Sequence, residues 1–309
     1  MNKNGFAPIV IILAIAAMGS VIFLFSKSSN PASSPMIAAT PTPKRSLAPS
    51  PISTPSASPS PILKPANSPQ PIVVNNTPPG SGYSYQTVTV EGINFPVAIV
   101  AADLNSTKVI VDTASDADCK NECPVLPLAE YISRSGAYAG VNGSFFCPAE
   151  YPSCSGKTGS FDTLVMNQKK HYFNSDNNVY SNIPAAIFSP GSARFVSRSL
   201  EWGRDSGVDA VIANYPLLVS GGSINFTEDP SEPKFGAKGP RTFISVKGNM
   251  VYIGVTSNAT MGESAKVLKA LGMGEALNLD EGGSTALWFG GYKVGPGRNI
   301  PNAVLFVKR

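Results

Sequence analysis

Proline and acidic residues divide this chain before any motif is considered. Fourteen of its 28 prolines fall between Pro31 and Pro79, among Ser, Thr and Ala, in stretches such as "PTPKRSLAPSPISTPSASPSPILKP". Proline locks φ and has no N–H to donate, so such a stretch builds neither a helix nor a sheet ladder. It is also too poor in apolar residues for a core, and a semi-extended tether is the expected result. Residues 1–82 contain no Asp or Glu, but carry Lys3, Lys27, Lys44, Arg45 and Lys64. Three parts follow: an anchor or signal at 1–26, a Pro/Ser/Thr-rich linker at 27–82, and a folded domain at 83–309.

The net charge of +4 belongs to the first two parts. Residues 83–309 hold 19 basic against 20 acidic residues and offer no basic face, which argues against a nucleic-acid partner. Gly5–Ser26 is an uncharged, mostly apolar run of 22 residues. A helix needs ~20 residues to cross the hydrocarbon core, so a single-pass membrane anchor with an extracytoplasmic domain is expected. The residues after it, "SKSSNP", match a signal-peptidase site poorly, which favours a retained anchor over a cleaved signal.

Four cysteines, Cys119, Cys123, Cys147 and Cys154, lie in the folded part. An even number in an exported chain suggests two disulfides. Of three pairings, 119–123 and 147–154 close short loops and are favoured. Zinc is the rival, but C-x3-C and C-x6-C are poor zinc spacings and no histidine is near.

From Tyr83 the pattern is short, β-branched and strand-rich: "YSYQTVTV", "FPVAIVAADL", "KVIVDT" and about nine more. "TFISVKGNMVYIGVTS" predicts a hairpin turning at Lys247–Asn249. Residues 126–136 and 260–274 predict helices, each ended by glycine. The fold class expected is α+β: a strand-rich mixed sheet domain with two or three helices. Strands and helices do not alternate, which argues against a dinucleotide-binding fold.

Chemistry has few carriers. His171 is the single histidine and lies in polar "NQKKHYFNSD", a place for an exposed loop or strand end rather than a catalytic base. No P-loop, HExxH or GxSxG is present. Four polar knots remain. "LNLDEGGSTAL" ends an apolar strand on Asp280 and Glu281, then adds Gly282, Gly283, Ser284 and Thr285. Period-2 alternation puts Leu277 and Leu279 on one face and Asn278 and Asp280 on the other. The glycines allow positive φ and close approach of a ligand, and free N–H groups in such a bend suit an anion. "GVNGSFFCP" breaks a strand at Asn142 and Gly143. "KGPRTFISV" begins a strand at Arg241, whose planar fork suits phosphate. "GYKVGPGRNIPNAVLF" carries Arg298, Asn299 and Asn302 ahead of the last strand. Taken singly, each knot is equally well a solvated turn.

Together the four resemble the phosphodiester glycosidase family, in order and spacing across most of 83–309. The family's N-G-x-F-F corresponds to Asn142–Phe146, its P-R-T to Pro240–Thr242, its N-L-D-G-G-G-S to Asn278–Ser284, and its R-x-x-x-N-A to Arg298–Ala303. Glu281 stands where the family usually has glycine. The resemblance implies hydrolysis of a sugar-1-phosphodiester at the anomeric carbon. Cell-envelope glycans are the expected setting, because the apolar N-terminal run makes the membrane a partner. On that reading Arg241 and the Gly282–Gly283 amides hold the phosphate. Asp280 or Glu281 stabilises the oxocarbenium-like centre or activates water. Asn142 and Asn278 bind sugar hydroxyls. The competing expectation is a non-catalytic surface module that binds glycan in the same cleft. No cofactor is evident, although Asp280 and Glu281 could together recruit a divalent cation such as calcium.

Overall fold

The computed structural model describes residues 73–176, 181–228 and 232–309. The expected anchor at 1–26 and linker residues 27–72 lie outside the described residues. No helix among the described residues is long and apolar enough to cross a membrane.

Seventeen strands and three α-helices make up the described chain. A seven-stranded sheet contains β1 (Gly82–Val90), β2 (Ile93–Asp103), β10 (Leu217–Ser220), β11 (Ser223–Ile224), β12 (Gly239–Lys247), β13 (Met250–Ala259) and β14 (Glu275–Asn278). Their spatial order is β1-β2-β13-β12-β14-β10-β11. A second sheet has β3 (Thr107–Thr113), β4 (Ala139–Asn142), β15 (Leu287–Phe289), β16 (Tyr292–Val294) and β17 (Asn302–Lys308), ordered β16-β15-β4-β17-β3. A third has β5 (Val165–Met166), β6 (Tyr172–Phe173), β7 (Ala185–Ser189), β8 (Ser192–Val196) and β9 (Ala210–Ala213), ordered β6-β5-β9-β7-β8.

Every pairing between these strands is antiparallel, where the sequence predicts a mixed sheet. The reason is local. Tight turns join β1 to β2, β7 to β8 and β12 to β13, and a parallel neighbour would need a long crossover. The β12–β13 turn falls at Gly248–Asn249, inside the span read from the sequence.

The three sheets share one core. Val100, Ile244, Ile253 and Leu277 from the first meet Val111, Val141, Val304 and Phe306 from the second and Val165, Phe188 and Ile212 from the third. On the far face of the first sheet lies α3 (Met261–Ala270), burying Ala265, Val267 and Leu268. Its start is a capping box: Thr260 accepts from the Glu263 N–H, and the Glu263 carboxylate accepts from the Thr260 N–H. Such a cap contributes about 1 kcal/mol. The far face of the second sheet is covered by α1 (Leu128–Ser135), which buries Leu128, Tyr131 and Ile132 and ends at Gly136 with φ 66°. A single turn, α2 (Pro233–Gly236), stands before β12.

Ordered contacts begin before β1. Val74 bridges Thr87, and the Gln86 amide donates to the carbonyls of Asn75 (2.7 Å) and Thr77 (2.9 Å), so the last residues assigned to the linker lie along the first strand.

Candidate active site

The ends of β4, β12 and β14 and the loop before β17 meet at the seam between the first two sheets. Two main-chain contacts fasten it: the Asp280 N–H donates to the Gly143 carbonyl (2.8 Å), and the Gly143 N–H to the Asn302 carbonyl (3.0 Å). A Cβ on Gly143 would overlap the Asn302 amide and sit 2.7 Å from its carbonyl oxygen, so glycine is required by close approach.

Buried asparagines do the joining. Asn142 is fully buried and donates 2.6 Å to the Asp280 carbonyl. Its Oδ1 accepts from the Ala286 N–H (3.0 Å) and the Thr242 hydroxyl (3.2 Å). Asn302 Oδ1 accepts from the Ser144 N–H (2.9 Å). Asn214 accepts from the Phe145 N–H (2.9 Å) and donates to the Asn278 carbonyl (2.9 Å). Asn278 donates to the Tyr215 carbonyl (3.2 Å), and its Oδ1, fully buried, has no partner among the described residues. Asn142 and Asn278, expected to bind sugar, are instead wholly enclosed and hold loops. The physical reason is that a seam between two sheets leaves backbone groups without ladder partners, and side-chain amides supply them.

The two adjacent carboxylates diverge. Asp280 has its side chain between the Ser284 hydroxyl, which donates to it, and the charge of Arg298. The Glu281 N–H also donates to Asp280 Oδ1 (2.9 Å). Burial pushes the Asp280 carboxyl up to about 7; Ser284, the Glu281 N–H and Arg298 pull it down, and the Glu281 charge pushes up. Glu281 turns the other way and forms an ion pair with Arg241 Nη1. Burial raises its pKa as well, against the lowering effect of Arg241 and Lys234.

Arg241, expected to hold the phosphate, is 3% exposed. Its Nε donates to the Ala259 carbonyl (3.0 Å) and its Nη2 to those of Lys234 (3.1 Å) and Ala237. With Nη1 on Glu281, the fork is committed to the protein. Sequence reading placed this arginine in the site but not its partners, because the carbonyls come from segments 4 to 18 residues away.

Arg298 is different. Its backbone N–H donates to the Gly283 carbonyl (2.8 Å), while among the described residues its guanidinium makes no hydrogen bond to a backbone oxygen. Nη1 lies 3.6 Å from exposed Glu150, and the guanidinium sits 5.2 Å over the Tyr151 ring. A Cβ on Gly283 would come 3.0 Å from its Cζ. Gly282 (φ 62°) and Gly283 are exposed, and their N–H groups have no acceptor among the described residues. Ser284 and Thr285 are buried behind them, the Thr285 hydroxyl 3.5 Å from that of Thr242.

Arg298 and exposed Asn299 line a cavity of about 320 Å³ with Phe146, Pro148, Ala149, Glu150, Cys123 and Thr158. Disulfides Cys119–Cys123 and Cys147–Cys154 frame it, as the short-loop pairing anticipated. The Cys123 N–H donates to Thr158 (2.9 Å) and the Cys147 N–H to Ser160 (2.8 Å). Glu150 and Tyr151 carried no sequence signal beyond lying between paired cysteines. His171 packs against Phe173 in the third sheet. Among the described residues no three His, Cys, Asp or Glu side chains lie together as a metal set.

The family model for phosphodiester glycosidases matches residues 135–307, more than half of the chain and all four knots. The chain belongs to the phosphodiester glycosidase family. It is a hydrolase family. Among solved structures, the catalytic domain of zebrafish N-acetylglucosamine-1-phosphodiester alpha-N-acetylglucosaminidase, auto-inhibited by its pro-peptide, superposes with a TM-score of 0.58 and 17% identity. That match covers 78% of this chain and 87% of the zebrafish one. A hypothetical protein from Synechocystis superposes at 0.50 with 13% identity, covering 74% of this chain. The chain spans 62% of the Synechocystis protein's length. At these identities the likeness is one of fold. No curated protein matches the sequence.

Proposed function

We propose that this phosphodiester glycosidase-family chain hydrolyses a sugar-1-phosphodiester at the anomeric carbon, outside the cytoplasm, tethered to the membrane by residues 1–26. A carbohydrate phosphodiester of the cell envelope is the substrate class that such a tether would place within reach. One observation carries the reading: the buried Asp280 carboxyl, which burial raises to about 7, lies in the field of an arginine whose guanidinium makes no hydrogen bond among the described residues, next to two exposed glycine amides.

The reaction breaks the bond from C1 to the phosphate oxygen, which departs with the electron pair. Water supplies oxygen to C1, and its proton passes to the Asp280 carboxylate. A phosphomonoester is a good leaving group and needs charge stabilisation more than a proton, so one working carboxyl suffices where ordinary glycosidases use two. Arg298 and the Gly282 and Gly283 N–H groups would receive the phosphate, with Asn299 at the open edge. This assignment moves the phosphate from Arg241 to Arg298, because Arg241 has its donors engaged. A calcium ion shared by Asp280 and Glu281 would have to draw Glu281 away from Arg241.

The test is release of free sugar and phosphomonoester from a panel of sugar-1-phosphodiesters by the full-length chain, with and without chelator. Binding without release would favour the second reading, a glycan-binding surface module. The Glu281–Arg241 pair favours that reading to the extent that it removes one cation from the site.

A further inference from the structure

Glu281 leaves β14 with extended backbone, φ −140° and ψ −177°, a conformation open to any residue. Nothing in the backbone demands a long acidic side chain there. Its carboxylate nevertheless turns inward to Arg241, and the two side chains are only 13% and 4% exposed. Arg241 does not depend on this contact for its position, because three main-chain carbonyls already hold the guanidinium. A second cation stands above: Lys234, half-exposed, whose charge lowers the Glu281 pKa. Its ammonium lies 5.4, 5.8 and 5.2 Å over the rings of Phe145, Tyr215 and Phe235. Glu232 neutralises Lys234 only at 3.6 Å and in solvent. A fixed guanidinium and a nearby ammonium, walled by aromatic rings, form a receptor for an anion, and the chain fills it with its own carboxylate.

We infer that Glu281 determines substrate charge. By occupying the anion position of Arg241 and Lys234 it leaves Arg298 and the glycine amides as the sole phosphate station. The site then accepts a singly charged phosphodiester and disfavours a substrate with a second charged phosphate, such as a nucleoside-diphosphate sugar. This rests on the hydrolytic reading, but the receptor itself is tested without turnover.

The experiment measures inorganic phosphate binding to the full-length chain by calorimetry and thermal shift. Wild type is expected to gain little melting temperature in phosphate. Glu281→Ala, which leaves Arg241 buried and unpaired, should melt lower in phosphate-free buffer, recover with phosphate, and bind it at least tenfold tighter than wild type. Adding Lys234→Ala to that variant should remove at least threefold of the gain. Glu281→Gln, which keeps the side chain's volume, should admit less phosphate than Glu281→Ala. The ratio of kcat/KM for a nucleoside-diphosphate sugar to that for a phosphodiester should rise at least tenfold in Glu281→Ala. A Glu281→Ala protein whose phosphate affinity equals wild type overturns the inference. Should that variant not fold, Glu281→Ser, which keeps a hydroxyl for Arg241, is judged by the same phosphate criterion. Absence of hydrolysis by wild type would remove the proposed activity and leave the phosphate result standing.

Discussion

The side-chain amide of Asn142 donates 2.6 Å to the main-chain carbonyl of Asp280, tying residues 138 positions apart. Asn142 ends β4 in the second sheet, and Asp280 follows β14 in the first, so the acid's backbone is positioned by the other sheet. The same amide oxygen serves Ala286 and Thr242. Asn142→Ala would leave buried donors and acceptors unpaired at each of these places. A loss of roughly 2–4 kcal/mol is expected in denaturant unfolding, with turnover falling at temperatures where the variant is still folded. An unchanged midpoint would show that the asparagine is dispensable to the seam.

Asp280 offers a test with two readouts. Turnover of Asp280→Asn is expected to fall on the order of 10²–10⁴-fold while the protein stays folded. Stability should move the opposite way. Burial raises the carboxyl from 3.8 to about 7, so the native state holds the proton more tightly than the unfolded chain. That contribution is complete below the unfolded value and is lost as pH rises through about 7. The neutral amide escapes the loss. Asp280→Asn should therefore resemble wild type near pH 4 and exceed it at pH 8, by roughly 1–3 kcal/mol.

On the proposed reading Arg298 acts on both the phosphate and the acid. Its charge lowers the Asp280 pKa, so Arg298→Gln should shift the acid limb of the kcat/KM profile to higher pH. The same variant should reduce kcat/KM on a phosphodiester on the order of tenfold or more beyond its effect on a neutral aryl glycoside. Equal losses on both substrates, with no movement of the limb, would make Arg298 a loop anchor only.

The Cys147–Cys154 bridge closes the loop that carries Glu150 to the cavity and Tyr151 to the Arg298 guanidinium. Cys147→Ser with Cys154→Ser should cost ~2–3 kcal/mol from the freed unfolded chain. Because Tyr151 and Glu150 flank Arg298, KM for a phosphodiester should rise more than kcat falls. Steady-state kinetics on the double variant measures that split.

Several elements were legible without coordinates, and the particular residues show why. Thr260 with Glu263 begins α3, Gly136 ends α1, and Lys247–Asn249 turns the β12–β13 hairpin, because caps and turns are settled by neighbours within four residues. The alternation of Leu277 and Leu279 against Asn278 and Asp280 was legible for the same reason, and the strands do put the leucines into the shared core. Family order made the four knots visible as one group.

Their division of labour was not. Asp280 and Glu281 are adjacent acids of nearly equal intrinsic chemistry, and Arg241 and Arg298 are identical side chains. Arg241 became an enclosed strut because carbonyls of Lys234, Ala237 and Ala259 converge on it, and Arg298 stayed available because Gly283 and Tyr151 leave it at a cavity edge. Local pattern determined this protein's strands, helix ends and the residues eligible for chemistry. Only the meeting of two sheets decided which acid is poised near neutrality and which arginine faces solvent, because desolvation and long-range charge depend on what packs around a group rather than on what precedes it in the chain.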